Sequence, residues 1–472
     1  MADPTLAPEL RQRRTLTIAS LATLATFLDT TILFVAFPDI GRTFSDTSPA
    51  TLSWVLNAYT IVFAALLIPA GKIADRVGHR RAFLAGSALF TVASMVCGLA
   101  PTAELLIAGR IVQAAGGAIL IPASLALVMR AYPRHELPRA VAIWGAAGAV
   151  AGALGPTLGA AGVEGLGWRW AFFINLPVGA YTIIAGRRTL SESSDPDTAV
   201  PNVVGVVLVA AAAGAISYAV VETESNGWWS TTTAVWLVVG AALVALFVTH
   251  QQRTTAPVLD LDLFRIRNVA WADLAGLVFG VAFSAMFLAS ILFLTSVWGW
   301  SVLEAGFGVA PGPALVAVLA PRLGTLAGRI GQRPILVSGA VAYALGGLWR
   351  VVALGPEVDY LVDYFPSMLL TGFGVACIWP QLSSAVAQAL PPNRAGIGGA
   401  SLQAARQFGG TFGVAIAVAL IAGAATPGAA LDAFEQVWWV IVVGGIGTAL
   451  LVLPMRTAER SEVGLAVAAA DA

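Results

Sequence analysis

The chain predicts an all-α integral membrane protein of fourteen transmembrane helices, two six-helix bundles with two further helices inserted between them. Three observations carry this. Of 472 residues 58% are apolar and only 11% charged, with a mean hydropathy of +0.82, whereas an ordinary soluble domain has about one quarter charged residues. The basic residues crowd into alternate loops. A loop sequence recurs at long range, marking two related halves.

A span needs about 20 apolar residues to cross about 30 Å of hydrocarbon, so fourteen spans use about 280 residues and leave short connections. Apolar runs bounded by Pro, Gly or charge fall at 16–37, 52–70, 82–100, 105–129, 140–163, 170–185 and 203–221. They continue at 233–248, 269–297, 305–326, 335–354, 365–390, 397–425 and 437–455. The first run follows Arg11, Arg13 and Arg14 but is too long for a signal peptide and lacks a clear small-residue cleavage site, so it reads as a retained span. Of 26 basic residues, 21 fall in one set of alternate loops, which includes Lys72, Arg76, Arg80, Arg130, Arg329 and Arg333. The other set holds three, Arg42, Arg169 and Arg350, and the remaining two, Arg110 and Arg406, lie inside apolar runs. Cytoplasmic loops carry the excess of Lys and Arg. Both termini are therefore expected in the cytoplasm, with an even number of spans in a bacterial inner (cell) membrane.

Between spans 2 and 3 stands Gly71-Lys-Ile-Ala-Asp75-Arg76-Val-Gly78-His-Arg80, and 253 residues later Gly324-Thr-Leu-Ala-Gly-Arg329-Ile-Gly331-Gln-Arg333. Both glycines, the alanine and both arginines coincide. A similar offset relates Arg139-Ala140 to Arg394-Ala395 and Gly155-Pro-Thr-Leu-Gly159 to Gly410-Thr-Phe-Gly413. Repeated halves are a known plan of transporters, but these loops lie eight spans apart. Two spans are therefore expected as an insertion in 191–268, which opens with the polar run Ser191 to Asp197. This divides the chain into an N-terminal bundle (1–190), an accessory pair (191–268) and a C-terminal bundle with a short tail (269–472).

With these residues in view the chain resembles the major facilitator superfamily, and within it the fourteen-span drug/proton antiporters, over almost its whole length. Asp75-Arg76 is similar to the acidic-basic centre of that superfamily's loop. Leu28-Asp29-Thr30-Thr31 with Ala36-Phe37-Pro38 is similar to the first-span motif, and Gly155-Pro156-x-x-Gly159 to the antiporter motif. Gly167-Trp168-Arg169 through Asn175-Leu176-Pro177 resembles the family's entry into span 6. Phe34, Ala160 and Gly328 depart from the family pattern. The resemblance implies proton-coupled efflux of amphipathic drugs or antibiotics by alternating access. The alternatives are an uncoupled facilitator or importer, or a receptor that kept the fold.

Asp29, deep in span 1, and Arg110 in span 4 are the expected proton-coupling residues. A charge at the bilayer centre is expensive, so Asp29 needs a partner or a wet cavity. The face Ala22, Ala25, Thr26, Asp29, Ile32, Leu33 and Ala36 suits a cavity wall, with a structural helix-helix hydrogen bond as the alternative. Arg110 keeps its proton and acts by pairing with a carboxylate that does not. The resemblance links Gly109-Arg110-x-x-Gln113 to coupling. Gln113, Trp379, Gln381, Gln403 and Arg406 are expected to meet substrate. Gly71, Asp75, Arg76, Gly78, Arg80, Gly155, Pro156 and Arg329 are expected to gate, against the simpler readings of topology and small-residue packing. Trp228, Trp229, Trp298, Trp300, Trp438 and Trp439 read as interfacial, His79, His135 and His250 as isolated, and Cys97 and Cys377 as packing. No phosphate-binding loop, cofactor, metal or nucleic-acid partner is implied. The expected partners are protons, a small-molecule substrate and lipid, and the expected state is a monomer.

Overall fold

The computed structural model describes residues 8–133, 136–194, 202–223, 227, 229–259, 261–390, 395–421 and 427–455. Arg134, His135, Asp195 to Asp197, Trp228 and Arg394 lie outside them. Among the described residues regular structure is entirely helical. The first group is α1 (Pro8–Thr43), α2 (Pro49–Val77), α3 (His79–Gly98), α4 (Ala103–Ala131), α5 (Leu137–Leu166), α6 (Trp170–Phe173) and α7 (Asn175–Thr189). Next come α8 (Val203–Val221) and α9 (Thr231–Arg253), then α10 (Arg267–Ser296), α11 (Val302–Val309), α12 (Pro311–Ile330) and α13 (Gln332–Ala353). A π-turn at Tyr360–Tyr364 leads into α14 (Phe365–Ala389), followed by α15 (Ala395–Ile421) and α16 (Pro427–Val452).

Twelve spans among the described residues are long and apolar enough to cross a bilayer, counting α11 with α12 as one, and α5 makes a thirteenth if its two bent parts are one span. The fourteen of the sequence reading are thus not all present as unbroken crossings. Span 6 is where the count falls short. It is divided at Ile174 into the four-residue α6 and the 15-residue α7, and α7 alone covers about 22 Å at 1.5 Å per residue.

Local chemistry explains the helix ends. Ser48, Thr102, Ser230 and Ser301 are N-caps whose hydroxyls accept backbone N–H groups, satisfying donors that have no partner inside the helix. Gly78 and Gly331, the second glycines of the repeated loop, both have positive φ, +112° and +88°, a region that L side chains rarely enter. The loop is therefore shorter than its sequence suggests. Residues 71–77 belong to α2, and Gly78 alone makes the turn into α3. Likewise α12 runs to Ile330 and Gly331 turns the chain into α13.

α1 packs on α4, α5 and α7, and α10 packs on α14, α15 and α16. Between these groups the contacts lie away from the basic loops. Phe34 meets Phe287 edge-on at 5.2 Å, the hydroxyls of Thr60 and Thr411 are 2.5 Å apart, and the Leu303 N–H donates to Glu164 Oε2 at 2.7 Å. Toward the basic loops α12 buries only Ala327 of residues 313–330.

Candidate functional site

Asp29 does not line a cavity. It is 1% exposed, while the partly accessible residues of α1 around it are Ser20, Leu21, Leu24, Phe27, Thr30 and Thr31. Three side chains bind it. Arg110 Nη1 donates to Oδ2 at 2.5 Å, and Gln113 Nε2 and Asn175 Nδ2 donate to Oδ1 at 2.7 and 2.9 Å. The Ser94 hydroxyl accepts from Gln113 and Asn175 at 2.8 and 3.3 Å and itself donates to the Phe90 carbonyl. Arg110 is equally buried. It donates through Nε to the Val55 carbonyl at 3.1 Å and through Nη1 to Gln113 Oε1 at 2.6 Å, and its guanidinium lies 3.9 Å from the Tyr59 ring centre. Removing two charges from water is costly unless the pair is close and further hydrogen bonds are made, and here both carboxylate oxygens and the guanidinium Nε and Nη1 are bound. α1, α2, α3, α4 and α7 each supply part of the arrangement.

Gln113, expected at a substrate surface, is fully buried and bound to Asp29, Arg110 and Ser94. Gln381 is also buried. The other three expected substrate residues lie close together and remain partly accessible. Arg406 stands 4.4 Å from the Trp379 ring centre, Trp379 packs edge-on against Phe279 and Phe283, and Gln403 lies one helical turn before Arg406 on α15. Trp379 Nε1 and Gln403 Nε2 have no hydrogen-bond partner among the described residues, nor has Arg406 an ion-pair partner there. These donors beside aromatic faces can hold an acceptor-bearing, partly aromatic molecule.

Arg350, at the end of an apolar run, reads from the sequence as a loop residue. The structure buries it completely inside α13. It donates to Ser367 Oγ at 3.0 Å, to Ser290 Oγ at 2.8 Å and to Met368 Sδ at 3.1 Å, and lies against the rings of Tyr364 and Trp438. Trp298 and Trp438, expected at an interface, are buried too. Trp229 is fully exposed.

At the turn between α2 and α3, Asp75 Oδ1 lies 2.8 Å from His79 Nε2. His79 is therefore not isolated; its Nδ1 lies 2.7 Å from the Ser193 carbonyl. Glu192 accepts from the backbone N–H groups of Arg80 and Arg81 at 3.1 and 3.2 Å, an anion at a helix N-terminus. Arg80 Nη2 donates to the Arg187 carbonyl. The start of the polar run after Leu190 is thus bound to this turn. Arg76 and Arg329 are exposed, with no ion pair among the described residues. Gly71 sits within α2, where a Cβ would come to 3.4 Å from Pro122.

α5 bends by 48° between Gly152 and Leu154. The cause is Pro156, whose ring clashes with the carbonyl four residues earlier and removes its hydrogen bond. Gly155 allows α1 to approach at Thr31, and the carbonyl of Pro156 faces Gly306 of α11. Ser94 and Tyr59 are the participants that the sequence does not single out, since a lone Ser or Tyr in an apolar run is too common a signal. Asn175 stands in the sequence only as part of the motif entering span 6.

The Major Facilitator Superfamily pattern matches residues 19–414. The chain is 35% identical over 412 residues to the multidrug resistance protein Stp of Mycobacterium tuberculosis, covering 87% of this chain and 76% of that one. It is 32% identical over 419 residues to the cephamycin export protein CmcT of Amycolatopsis lactamdurans, covering 88% and 85%. To the methylenomycin A resistance protein of Streptomyces coelicolor it is 31% identical over 392 residues, covering 82% and 81%. Among solved structures, an auto-inhibited POT family peptide transporter aligns with a TM-score of 0.67 at 17% identity over 96% of this chain and 99% of that one. A D-xylose-proton symporter aligns at 0.66 and 14% identity over 95% and 99%. Sequence pattern, relatives and fold agree, and the chain is a multi-pass membrane transporter, not an enzyme, that belongs to the Major Facilitator Superfamily.

Proposed function

We propose that this transporter exports amphipathic drugs or antibiotics in exchange for protons. The enclosed Asp29–Arg110 pair carries the reading. Arg110 also holds Gln113, the Val55 carbonyl and the Tyr59 face, so a small shift of α1 against α4 leaves the guanidinium partnered while freeing Asp29 to take a proton. Proton uptake and the helix movement of alternating access are then one event. Substrate meets Trp379, Gln403 and Arg406, and Gln113 serves the ion pair instead. The export and resistance functions named for the relatives support direction and cargo class.

The basic loops face the cytoplasm in this reading, both termini lie inside a bacterial inner membrane, and the chain acts as a monomer. α6 and α7 together run from Trp170 to Thr189, about 30 Å of helix at 1.5 Å per residue, and with bent α5 they complete fourteen crossings. Residues 1–190 and 269–472 are the two rocking bundles and 191–268 the accessory pair. That α9 has the lowest buried share, 17% of its most apolar window, and α8 only 33%, a value shared with the α11–α12 span, supports a peripheral place. Gating follows from what each motif touches. Gly71, Asp75, Gly78 and Arg80 hold the cytoplasmic ends of the first bundle together, Arg76 and Arg329 engage when those ends close, and Gly155 and Pro156 let α5 bend at the opposite end.

The test is Asp29→Asn, which keeps hydrogen-bonding capacity and removes titration. In liposomes with an imposed pH gradient it is expected to abolish gradient-driven accumulation while exchange at equal pH persists. Full accumulation by the variant would show that Asp29 is only a structural contact.

A further inference from the structure

A cavity of about 340 Å³ lies to one side of the bundles, between α2, α8, α9, α10 and α15. Its wall includes Ala65, Phe247, Phe264 and Phe408, and its lining is almost wholly apolar. The exceptions are Ser401 and Asp273. Asp273 is 4% exposed. Its Oδ2 accepts from the Ser401 hydroxyl, and its Oδ1 is buried without a partner among the described residues. No basic residue lines the space. Asp273 lies six residues into α10, about 9 Å from the end that carries Arg265 and Arg267, so the cavity belongs to the leaflet on the basic-loop side.

A buried carboxyl oxygen without a partner is costly, and native proteins rarely keep such a group without a use for it. The space around it is that of a small ligand pocket. We infer that this lateral cavity binds lipophilic ammonium compounds, the cation and its N–H groups on Asp273 Oδ1 and the hydrocarbon body among Phe247, Phe264 and Phe408. α8 and α9 gain a role as its membrane-side wall, through Val209 and Phe247. This goes beyond the efflux reading, since it needs neither coupling nor a direction. It is also separate from Trp379, Gln403 and Arg406, none of which lines the cavity.

The test is equilibrium binding of a dansyl-tagged alkylammonium and of its neutral N-acetyl analogue to the purified full-length protein in nanodiscs. Wild type is expected to prefer the ammonium by about tenfold, the ratio that one charge-assisted hydrogen bond supplies. Asp273→Asn should erase this preference and leave the neutral probe's affinity unchanged, and Asp273→Glu should restore most of it. Val209→Trp, which fills the cavity from the accessory side, should weaken both probes. An undiminished ammonium preference in Asp273→Asn would overturn the assignment, as would unchanged binding in Val209→Trp. Should Asp273→Asn fail to fold, Asp273→Glu and Val209→Trp decide alone.

Discussion

Arg110 shows how a charge inside a membrane is tolerated: every polar neighbour is an acceptor or a ring face, and the carboxylate it neutralises receives three donors. Removing one partner leaves the other buried and uncompensated, which costs about 3–5 kcal/mol in buried pairs. Arg110→Ala is therefore expected to lower the thermal unfolding temperature in detergent sharply. Asp29→Asn combined with Arg110→Gln should recover most of that stability, because no charge then remains buried, and yet show no coupled transport. If Arg110→Ala unfolds at the wild-type temperature, the pair does not hold α1, α4 and α7 together. Asp29, Arg110 and Gln113 were legible in the sequence because charge and amide in an apolar run are conspicuous. Ser94 was not, and Asn175 only as part of the span 6 motif, since their place at the pair comes from which helix faces they meet.

For the elements, the repeated loop separates what composition reveals from what geometry decides. Gly78 and Gly331 share a positive φ, so the coincidence of these glycines in the repeat has a backbone cause. The neighbourhood of Gly78 adds a second constraint, since a Cβ there would run into the Glu192 carboxyl that caps α3. Gly78→Ala is expected to destabilise by about 1 kcal/mol or more from backbone strain, with a further loss as Glu192 is pushed off its N–H donors. Combining it with Glu192→Ala should remove the clash but not the strain. Thermal unfolding of the three variants measures this, and a double variant as stable as wild type would show that φ carries no cost. The same reasoning accounts for α5, where the ring of Pro156 sets the bend one turn earlier, at the carbonyl it displaces. Span 6 is the opposite case. Its composition satisfied a hydropathy window, but the break at Ile174 cannot be read from apolar content.

Across the whole molecule, helices from the two halves touch at the end remote from the basic loops, through Phe34–Phe287, Glu164–Leu303 and Thr60–Thr411. If that end must part during transport, joining it should stop the cycle. Thr60→Cys with Thr411→Cys is expected to form a disulfide on mild oxidation, since the hydroxyls already lie 2.5 Å apart and a disulfide needs sulfur atoms at about 2.05 Å. Transport should be lost when the bond forms and return on reduction. A cross-linked protein that transports at the full rate would show that this contact does not open.

The sequence by itself determined that the chain is a membrane protein built of apolar helices in two related halves, because hydropathy, loop charge and a long-range repeat are properties of the chain alone. It also singled out Asp29, Arg110 and Arg406, since a charge in hydrocarbon must be compensated or used. Only the tertiary structure decided how each is compensated. Asp29 is held by three donors from α4 and α7, Arg350 is buried among hydroxyls, a sulfur atom and rings, and Asp273 is left with one oxygen free beside a cavity. The physical reason is that a helix offers its side chains all round, and which face meets a neighbour, lipid or empty space is fixed by packing between elements distant in sequence.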